Sequence, residues 1–266
     1  MLGPPHFVRR SRQQGGLTLF RLMGTSGVRL SRPGLLWLAS SAVFVAVTLL
    51  YRAGAVREVD YQVAFLLKDL RAGWLDTLGS LNDVIFRPTP TFVGAMVLAL
   101  ILWRFGPPWS WLAPPAIVVS ALSEVIVKNG WSQVLHPRAL LEDFQVLLGF
   151  HLHAPSSFPS GHVTRALFLA VIILAFLPRK FSIPFGLLAL SCIFARMYVE
   201  AHKLSDVVAG AALGTAVASA AVWGVTVLIV LEGDRPGGWR AVVAALVSRV
   251  ALVWRRISRP FGAVVS

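Results

Sequence analysis

The chain has 266 residues, of which 56% are hydrophobic and only 14% are charged. Soluble domains carry roughly 25% charged residues, so this composition excludes a disordered chain and argues against an ordinary soluble globule. Cys192 is the one cysteine, which excludes a disulfide framework and a cysteine-based zinc site. The net charge of +13 is compatible with nucleic acid or with an anionic membrane surface, and its distribution along the chain separates the two.

Long apolar runs without charged residues dominate the sequence. They cover residues 33–51, 89–103, 105–123, 166–178, 181–195 and 207–231. A helix needs about 20 mostly apolar residues to cross a bilayer, and the shorter runs reach that length by including flanking residues. The sequence therefore predicts an all-α integral membrane protein, a bundle of six transmembrane helices. We expect residues 60–78, between the first two runs, to form either a surface helix or a helical connector.

The basic residues lie mainly at the two ends of the chain. If the N-terminus is inside, fifteen of the 25 Lys and Arg residues fall on the inner side of the six helices. Basic residues beside a span favour the cytoplasmic side and attract anionic lipid. We therefore predict a basic cytoplasmic tail over residues 1–32, a membrane domain over 33–231 and a basic amphipathic cytoplasmic tail over 232–266. Membrane lipids, and not nucleic acid, are the expected partners, and the plasma membrane is the expected location.

With this topology, the ionisable residues that do not fit an apolar bundle gather on the outer side of the membrane. They are Lys128 at the end of the third span, His136, Arg138 and His162 in and after the next loop, Arg196 at the end of the fifth span, and His202 and Asp206 at the start of the sixth. Each cation alone could simply extend toward lipid headgroups. Because ionisable groups at a membrane are energetically unfavourable, the whole set indicates a functional site at the outer membrane surface.

The spacing of these residues indicates phosphoryl transfer. His202 and Asp206 are four apart and are expected on one face of a helix, where the carboxylate orients the imidazole as a nucleophile or base. Ser160 and Gly161 precede the fourth span, so Ser160 is expected to be an N-cap and the free N–H groups beside it suit a phosphate. His162 is placed to donate a proton to a leaving oxygen.

These residues resemble the signatures of the type 2 phosphatidic acid phosphatase family. Pro159-Ser160-Gly161-His162 matches the second signature, and Arg196, five residues, His202, three residues and Asp206 match the third, although residue 195 is Ala in place of Ser. The first signature, Lys, six residues and Arg-Pro, is altered. Lys128 is followed after seven residues by His136-Pro137-Arg138.

The resemblance implies a role for each matching residue. His202 would form a phosphohistidine, Asp206 would position it and His162 would protonate the leaving group. The phosphate would be bound by Lys128, Ser160, Gly161 and Arg196, with Arg138 as the candidate for the first-signature arginine and His136 as the weaker candidate. The family uses no metal or other cofactor, and the acidic residues of this chain show no metal-ligand pattern. His151 and His153 are expected to be polar loop residues, and Cys192 a small core residue.

Three functions remain open from the sequence. The first is an integral-membrane phosphatase that hydrolyses a lipid phosphate or a polyprenyl (pyro)phosphate. The second is a phosphotransferase of the same fold, which would pass the phosphoryl group to a second lipid or sugar. The third is a catalytically impaired lipid-binding protein, suggested by the altered first signature. Retention of both histidines and of Asp206 argues against the third, and the sequence does not separate the first two.

Overall fold

The computed structural model describes residues 31–68, 70, 72–130, 144–147, 150–153 and 156–233. The helices are α1 (Arg32–Arg52), α2 (Arg57–Lys68), α3 (Gly73–Ile85), α4 (Pro88–Phe105), α5 (Ile117–Gly130), α6 (Gly161–Phe176), α7 (Arg179–Tyr198) and α8 (Leu204–Gly233). A short antiparallel hairpin, β1 (Phe144–Leu147) and β2 (Phe150–His153), occupies part of the segment that the sequence predicted as a loop. His136, Arg138 and most of both predicted tails lie outside the described residues.

Five segments of the described chain are helical, long and apolar enough to cross a membrane. They are Arg32–Arg52, Pro88–Phe105, Ser110–Gly130, Arg179–Tyr198 and Leu204–Val230. The remaining predicted run, 166–178, lies in α6, which is apolar but has only 16 residues. Sixteen residues extend about 24 Å, less than the roughly 30 Å of a hydrocarbon core. The prediction of a multi-pass helical membrane protein is confirmed, and a sixth crossing by α6 stays a prediction.

Prolines and glycines set the helix boundaries. Pro33 and Pro88 stand in the first turns of α1 and α4, where a missing N–H leaves no hydrogen bond unmade. The run 105–123 was predicted as one span, but Phe105 is the last residue of α4. Gly106, Pro107 and Pro108 follow, and two 3₁₀ turns, Ser110–Leu112 and Pro114–Ala116, lead into α5. Proline lacks the N–H that a continuous α-helix requires, so the regular helix begins only at Ile117 and extends to Gly130.

The segment between α1 and α4 is a helical connector attached to the end of α7 and the start of α8. Asp60 of α2 is buried and accepts hydrogen bonds from the backbone N–H and the hydroxyl of Ser205, at 2.8 and 2.7 Å. In α3, Asp76 accepts a hydrogen bond from the hydroxyl of Tyr198 at 2.8 Å. Most of the segment 60–78 thus lies in two helices, and its position on the membrane surface stays a prediction.

Close packing of α6 against its neighbours forms the core beside the site. Phe86, Val163, Ala189, Cys192 and Val207 are among its fully buried members, so Cys192 is the small core residue that the sequence predicted. Glycines bring α8 onto α6. A Cβ atom at Gly210 would contact the carbonyl oxygen of Ser160, and one at Gly214 the carbonyl oxygen of Thr164. Small residues four apart permit this backbone approach in membrane helices.

The chain divides into two compact units, Met1–Trp223 and Gly224–Ser266. The contacts described above and all those of the candidate site belong to the first unit. Apolar side chains on the outer surfaces of the spans, such as Leu49, Leu100 and Leu187, are more than half exposed. Such surfaces suit a lipid environment, because a soluble protein rarely leaves large contiguous apolar areas uncovered.

Candidate active site

His202 and Asp206 form a buried pair, but not in the way the sequence predicted. The helix α8 begins at Leu204, so His202 lies in the turn before it and not on a helix face. Asp206, in the first helical turn, accepts a hydrogen bond from the N–H of Lys203 at 3.1 Å. This is the contact by which an acidic residue near a helix start stabilises the first turn. The same carboxylate oxygen lies 3.5 Å from Nδ1 of His202, which leaves Nε2 as the nitrogen on the opposite side of the ring.

The turn that carries His202 is held to the end of α7. Glu200 adopts a left-handed backbone conformation (φ 57°), which reverses the chain after the helix. The N–H of His202 then donates a hydrogen bond to the carbonyl oxygen of Arg196 at 3.1 Å. Two residues of the third signature, six positions apart, are thereby fixed to each other through the backbone.

The environment of His202 favours its neutral form. Burial lowers the pKa of the imidazole below its ordinary value, and the positive charges of Arg196 and Lys128 act in the same direction. Asp206 opposes the shift without cancelling it. A neutral imidazole has a free lone pair, which a nucleophile needs.

The start of α6 lies beside this pair. Ser160 occupies the N-cap position, and its backbone N–H donates to the carbonyl oxygen of Asp206 at 2.9 Å. The prediction of an N-cap is right about position only, because the Ser160 side chain forms no capping hydrogen bond. Its buried hydroxyl has no hydrogen-bond partner within the described part of the chain. Both the hydroxyl and the first N–H groups of α6 are therefore available to an anion.

A buried carboxylate positions the lysine of the altered first signature. Glu124 of α5 contacts Nζ of Lys128 at 3.0 Å through one oxygen and Nη1 of Arg165 at 2.8 Å through the other. Arg165 also donates from Nε to the carbonyl oxygen of Phe86 at 2.9 Å. Neither Glu124 nor Arg165 has a role predicted from the sequence. Two local patterns could have indicated them: the four-residue spacing of Glu124 and Lys128, and an arginine directly before an apolar run.

A second carboxylate, that of Asp83, contacts one residue of each of the other two signatures. Asp83 of α3 has one oxygen 2.8 Å from Nη1 of Arg196 and 3.3 Å from Nε2 of His162. Nε of Arg196 is buried and has no hydrogen-bond partner among the described residues. Sequence reasoning missed Asp83, because it lies far before the signatures. The only local signal was an acidic residue four residues before Arg87, in a helix that also contains Asp76 and Asn82.

A cavity of about 330 Å³ opens next to the nucleophile candidate. One wall is the turn that contains His202 and Lys203, and the other is α2, with Tyr61 and Phe65. Those two side chains are 65% and 71% exposed, so the mouth of the cavity is bordered by apolar surface. Its lining also includes Asp206, but none of Lys128, Ser160, His162 and Arg196.

The structure brings together all the predicted site residues that it describes. Contacts through shared neighbours connect Lys128, Ser160, Gly161, His162, Arg196, His202 and Asp206. His136 and Arg138 lie outside the described residues, so the replacement for the first-signature arginine stays a prediction. Across the described ranges, no group of three or more His, Cys, Asp or Glu side chains is arranged to hold a metal ion.

Comparisons with known proteins give one matching family model and one similar solved structure. The family model of the PAP2 superfamily matches residues 109–229. Among solved structures, the fold is similar to the crystal structure of the first transmembrane PAP2-type phosphatidylglycerolphosphate phosphatase from Bacillus subtilis. That match has 20% sequence identity and a TM-score of 0.50, and it covers 74% of this chain and 97% of the other. A comparison with curated proteins gives no significant match.

Proposed function

Because the chain belongs to the PAP2 superfamily, we propose that it is an integral-membrane phosphatase that hydrolyses a lipid phosphate or a polyprenyl (pyro)phosphate through a phosphohistidine. The observation that carries the proposal is the placement of the His202–Asp206 pair against the start of α6. A nucleophile, an anion-binding helix terminus and fixed cations within one buried cluster suit phosphoryl transfer. Metal independence is part of the proposal.

The reaction begins with phosphate binding. The hydroxyl of Ser160, the first N–H groups of α6, the ammonium of Lys128 and Nε of Arg196 hold the phosphate oxygens. Nε2 of His202 attacks phosphorus, while Asp206 stabilises the positive charge that develops on the ring. His162 gives a proton to the leaving oxygen as the P–O bond breaks. His162 then takes a proton from water, which attacks the phosphohistidine and releases inorganic phosphate.

A lipid is the proposed substrate class because of the surroundings of the site. The cavity beside His202 is bordered by exposed apolar side chains of α2, and the spans provide a route for an acyl or polyprenyl chain. The structurally similar protein is a phosphatidylglycerolphosphate phosphatase, which supports a phosphorylated lipid headgroup. A compact polar metabolite would leave this apolar border without a partner.

We test the function with a panel of lipid phosphates. Detergent-purified full-length protein in excess chelator is expected to release inorganic phosphate from at least one of phosphatidate, phosphatidylglycerol phosphate and a polyprenyl pyrophosphate. His202→Ala is the matched control and should release none. Release that depends on an added metal, or that persists in His202→Ala, would contradict the proposal.

The proposed setting is the plasma membrane, with both tails in the cytoplasm and the site on the extracytoplasmic side. The excess of basic residues in and beside the tails supports this orientation. In a Cys192→Ser background, a new cysteine at His153 should react with an impermeant maleimide in intact cells. A cysteine at Lys180 should react only after lysis. The reverse pattern would invert the topology.

A further inference from the structure

The carboxylate of Asp83 contacts two candidate active-site residues from outside the segment that the family model covers. Asp83 is in α3, whereas the family match begins at residue 109. One oxygen, Oδ1, lies 2.8 Å from Nη1 of Arg196 and 3.3 Å from Nε2 of His162. The other, Oδ2, lies 2.6 Å from Nη2 of Arg87. The carboxylate of Asp83 thus contacts both His162, the proposed acid, and Arg196, a proposed phosphate ligand.

The charge of this carboxylate is well defined. Interaction with His162, together with Arg87 and Arg196, holds the pKa of Asp83 well below its usual range, although partial burial opposes the shift. These contacts therefore favour the ionised form of Asp83. Burial lowers the pKa of the His162 imidazole, and the contact with Asp83 opposes that shift, without cancelling it, by favouring the imidazolium form.

The contact with Arg87 alone does not account for this arrangement. Arg87 is 59% exposed and four residues from Asp83 in the sequence, so the two form an ordinary surface ion pair of small energetic value. Arg196 and His162 are almost buried, with side chains 4% and 16% exposed, and they belong to other helices. Oδ1 points to these buried partners and Oδ2 to the exposed one.

We propose that Asp83 is a positioning residue for the general acid, and that it does for His162 what Asp206 does for His202. Its carboxylate lies 3.3 Å from Nε2 of His162, an atom without a hydrogen-bond partner among the described residues, and would accept the Nε2–H of the imidazolium that forms when His162 takes up a proton. The second N–H, on Nδ1, is then the proton that passes to the leaving oxygen as the P–O bond breaks and the bond from His202 to phosphorus forms. The same carboxylate fixes the guanidinium of Arg196, so the acid and the phosphate ligand keep a constant relative position.

A dependence on the leaving group separates this role from a purely structural one. Acid assistance matters for an alkoxide leaving group and much less for p-nitrophenolate, which departs readily without a proton. A loss of fold or of phosphate binding would lower the rates for both kinds of substrate together. The ratio of the two rates therefore reports on His162 and on the residue that positions it.

The experiment measures kcat/KM of the full-length protein in detergent on a lipid phosphate and on p-nitrophenyl phosphate, because kcat/KM excludes hydrolysis of the phosphohistidine, the step that both substrates share. We expect Asp83→Asn to lower kcat/KM on the lipid at least about ten-fold more than on p-nitrophenyl phosphate, in the same sense as His162→Ala. Arg87→Gln is the matched control and should remain near the wild-type rate on both. In the ratio of the two rates, the double variant of Asp83→Asn and His162→Ala should add nothing to the effect of His162→Ala alone, because Asp83 acts on that ratio only through His162.

Several outcomes would overturn the role of Asp83. These are equal losses on both substrates, an additive double variant, or wild-type kinetics in Asp83→Asn. If Asp83→Asn does not fold, Asp83→Glu carries the same test, because it keeps the charge and moves the carboxylate by one methylene. A selective loss on the lipid in Asp83→Glu supports the role, and an unselective loss refutes it. The inference rests on the proposed function, which the wild-type rates test separately; a wild type inert toward both substrates would refute that function and this role with it.

Discussion

The carboxylate of Glu124 lies directly against the α-carbon of Gly161, in the space that a side chain at position 161 would fill. A Cβ atom there would overlap Oε1 of Glu124 and lie 2.5 Å from its Cδ. Glu124 is fully buried and holds both Lys128 and Arg165, so it has little freedom to move. The glycine of the Pro-Ser-Gly-His segment is therefore required by a close approach between α5 and α6.

The first prediction follows from this contact. Gly161→Ala should displace Glu124 and with it the ammonium of Lys128, and kcat/KM should fall about 100-fold, because small misplacements of a binding group are costly in catalysis. Gly186→Ala is the matched control, since a Cβ atom at Gly186 meets nothing within 4 Å. The measurement is phosphate release from the preferred lipid by the purified variants. Wild-type activity in Gly161→Ala would show that the Glu124–Lys128 contact does not matter for catalysis.

The second prediction concerns pH. The nucleophile must be neutral, and burial lowers the pKa of His202, so activity should be retained as the pH falls through the ordinary histidine value of about 6.5. It should be lost only at lower pH, where His202 gains a proton. Lys128→Gln removes a charge that lowers this pKa, so the acidic limb of kcat/KM should move to higher pH. A wild-type limb at or above 6.5, or no movement in Lys128→Gln, would contradict this account of His202.

The sequence predicted the membrane fold for a clear physical reason. A bilayer requires long uncharged helices, so five of the six apolar runs overlap segments able to span it. The sequence also predicted that His162, Arg196, His202 and Asp206 lie in one cluster, because their spacing matches the signatures of a phosphoryl-transfer site. It could not place Asp83, which meets Arg196 across 113 residues of sequence. Such a contact depends on how the connector packs, and no local pattern of residues encodes it.

The helix start at Leu204 shows a second limit of sequence reasoning. A spacing of four residues between His202 and Asp206 suggested one helix face, yet the hydrogen bond from the N–H of Lys203 to Asp206 places the helix start after His202. Asp206 therefore both begins α8 and contacts the imidazole. The two side chains lie close together, 3.5 Å apart, but the prediction that they share a helix face was wrong.

The third prediction concerns the altered first signature. If Arg138 replaces the family arginine, Arg138→Ala should lower kcat about 100-fold, the usual cost of losing one group that stabilises transition-state charge. His136→Ala should cost much less, because an imidazole is only partly charged near neutral pH, whereas a guanidinium binds phosphate oxygens bidentately at any pH. Steady-state kinetics of the two variants decide between them. A larger loss in His136→Ala would transfer the role to His136.

The fourth prediction tests the central claim, which is that His202 carries the phosphoryl group. Rapid acid-free quenching during turnover of a lipid substrate labelled with radioactive phosphate should trap an acid-labile, base-stable phosphoenzyme, and peptide mapping should locate the label at His202. His202→Ala should contain none, while Asp206→Asn should form it more slowly because the imidazole loses its orienting charge. A wild-type enzyme that turns over without any phosphoenzyme, or a label that persists in His202→Ala, would contradict the account.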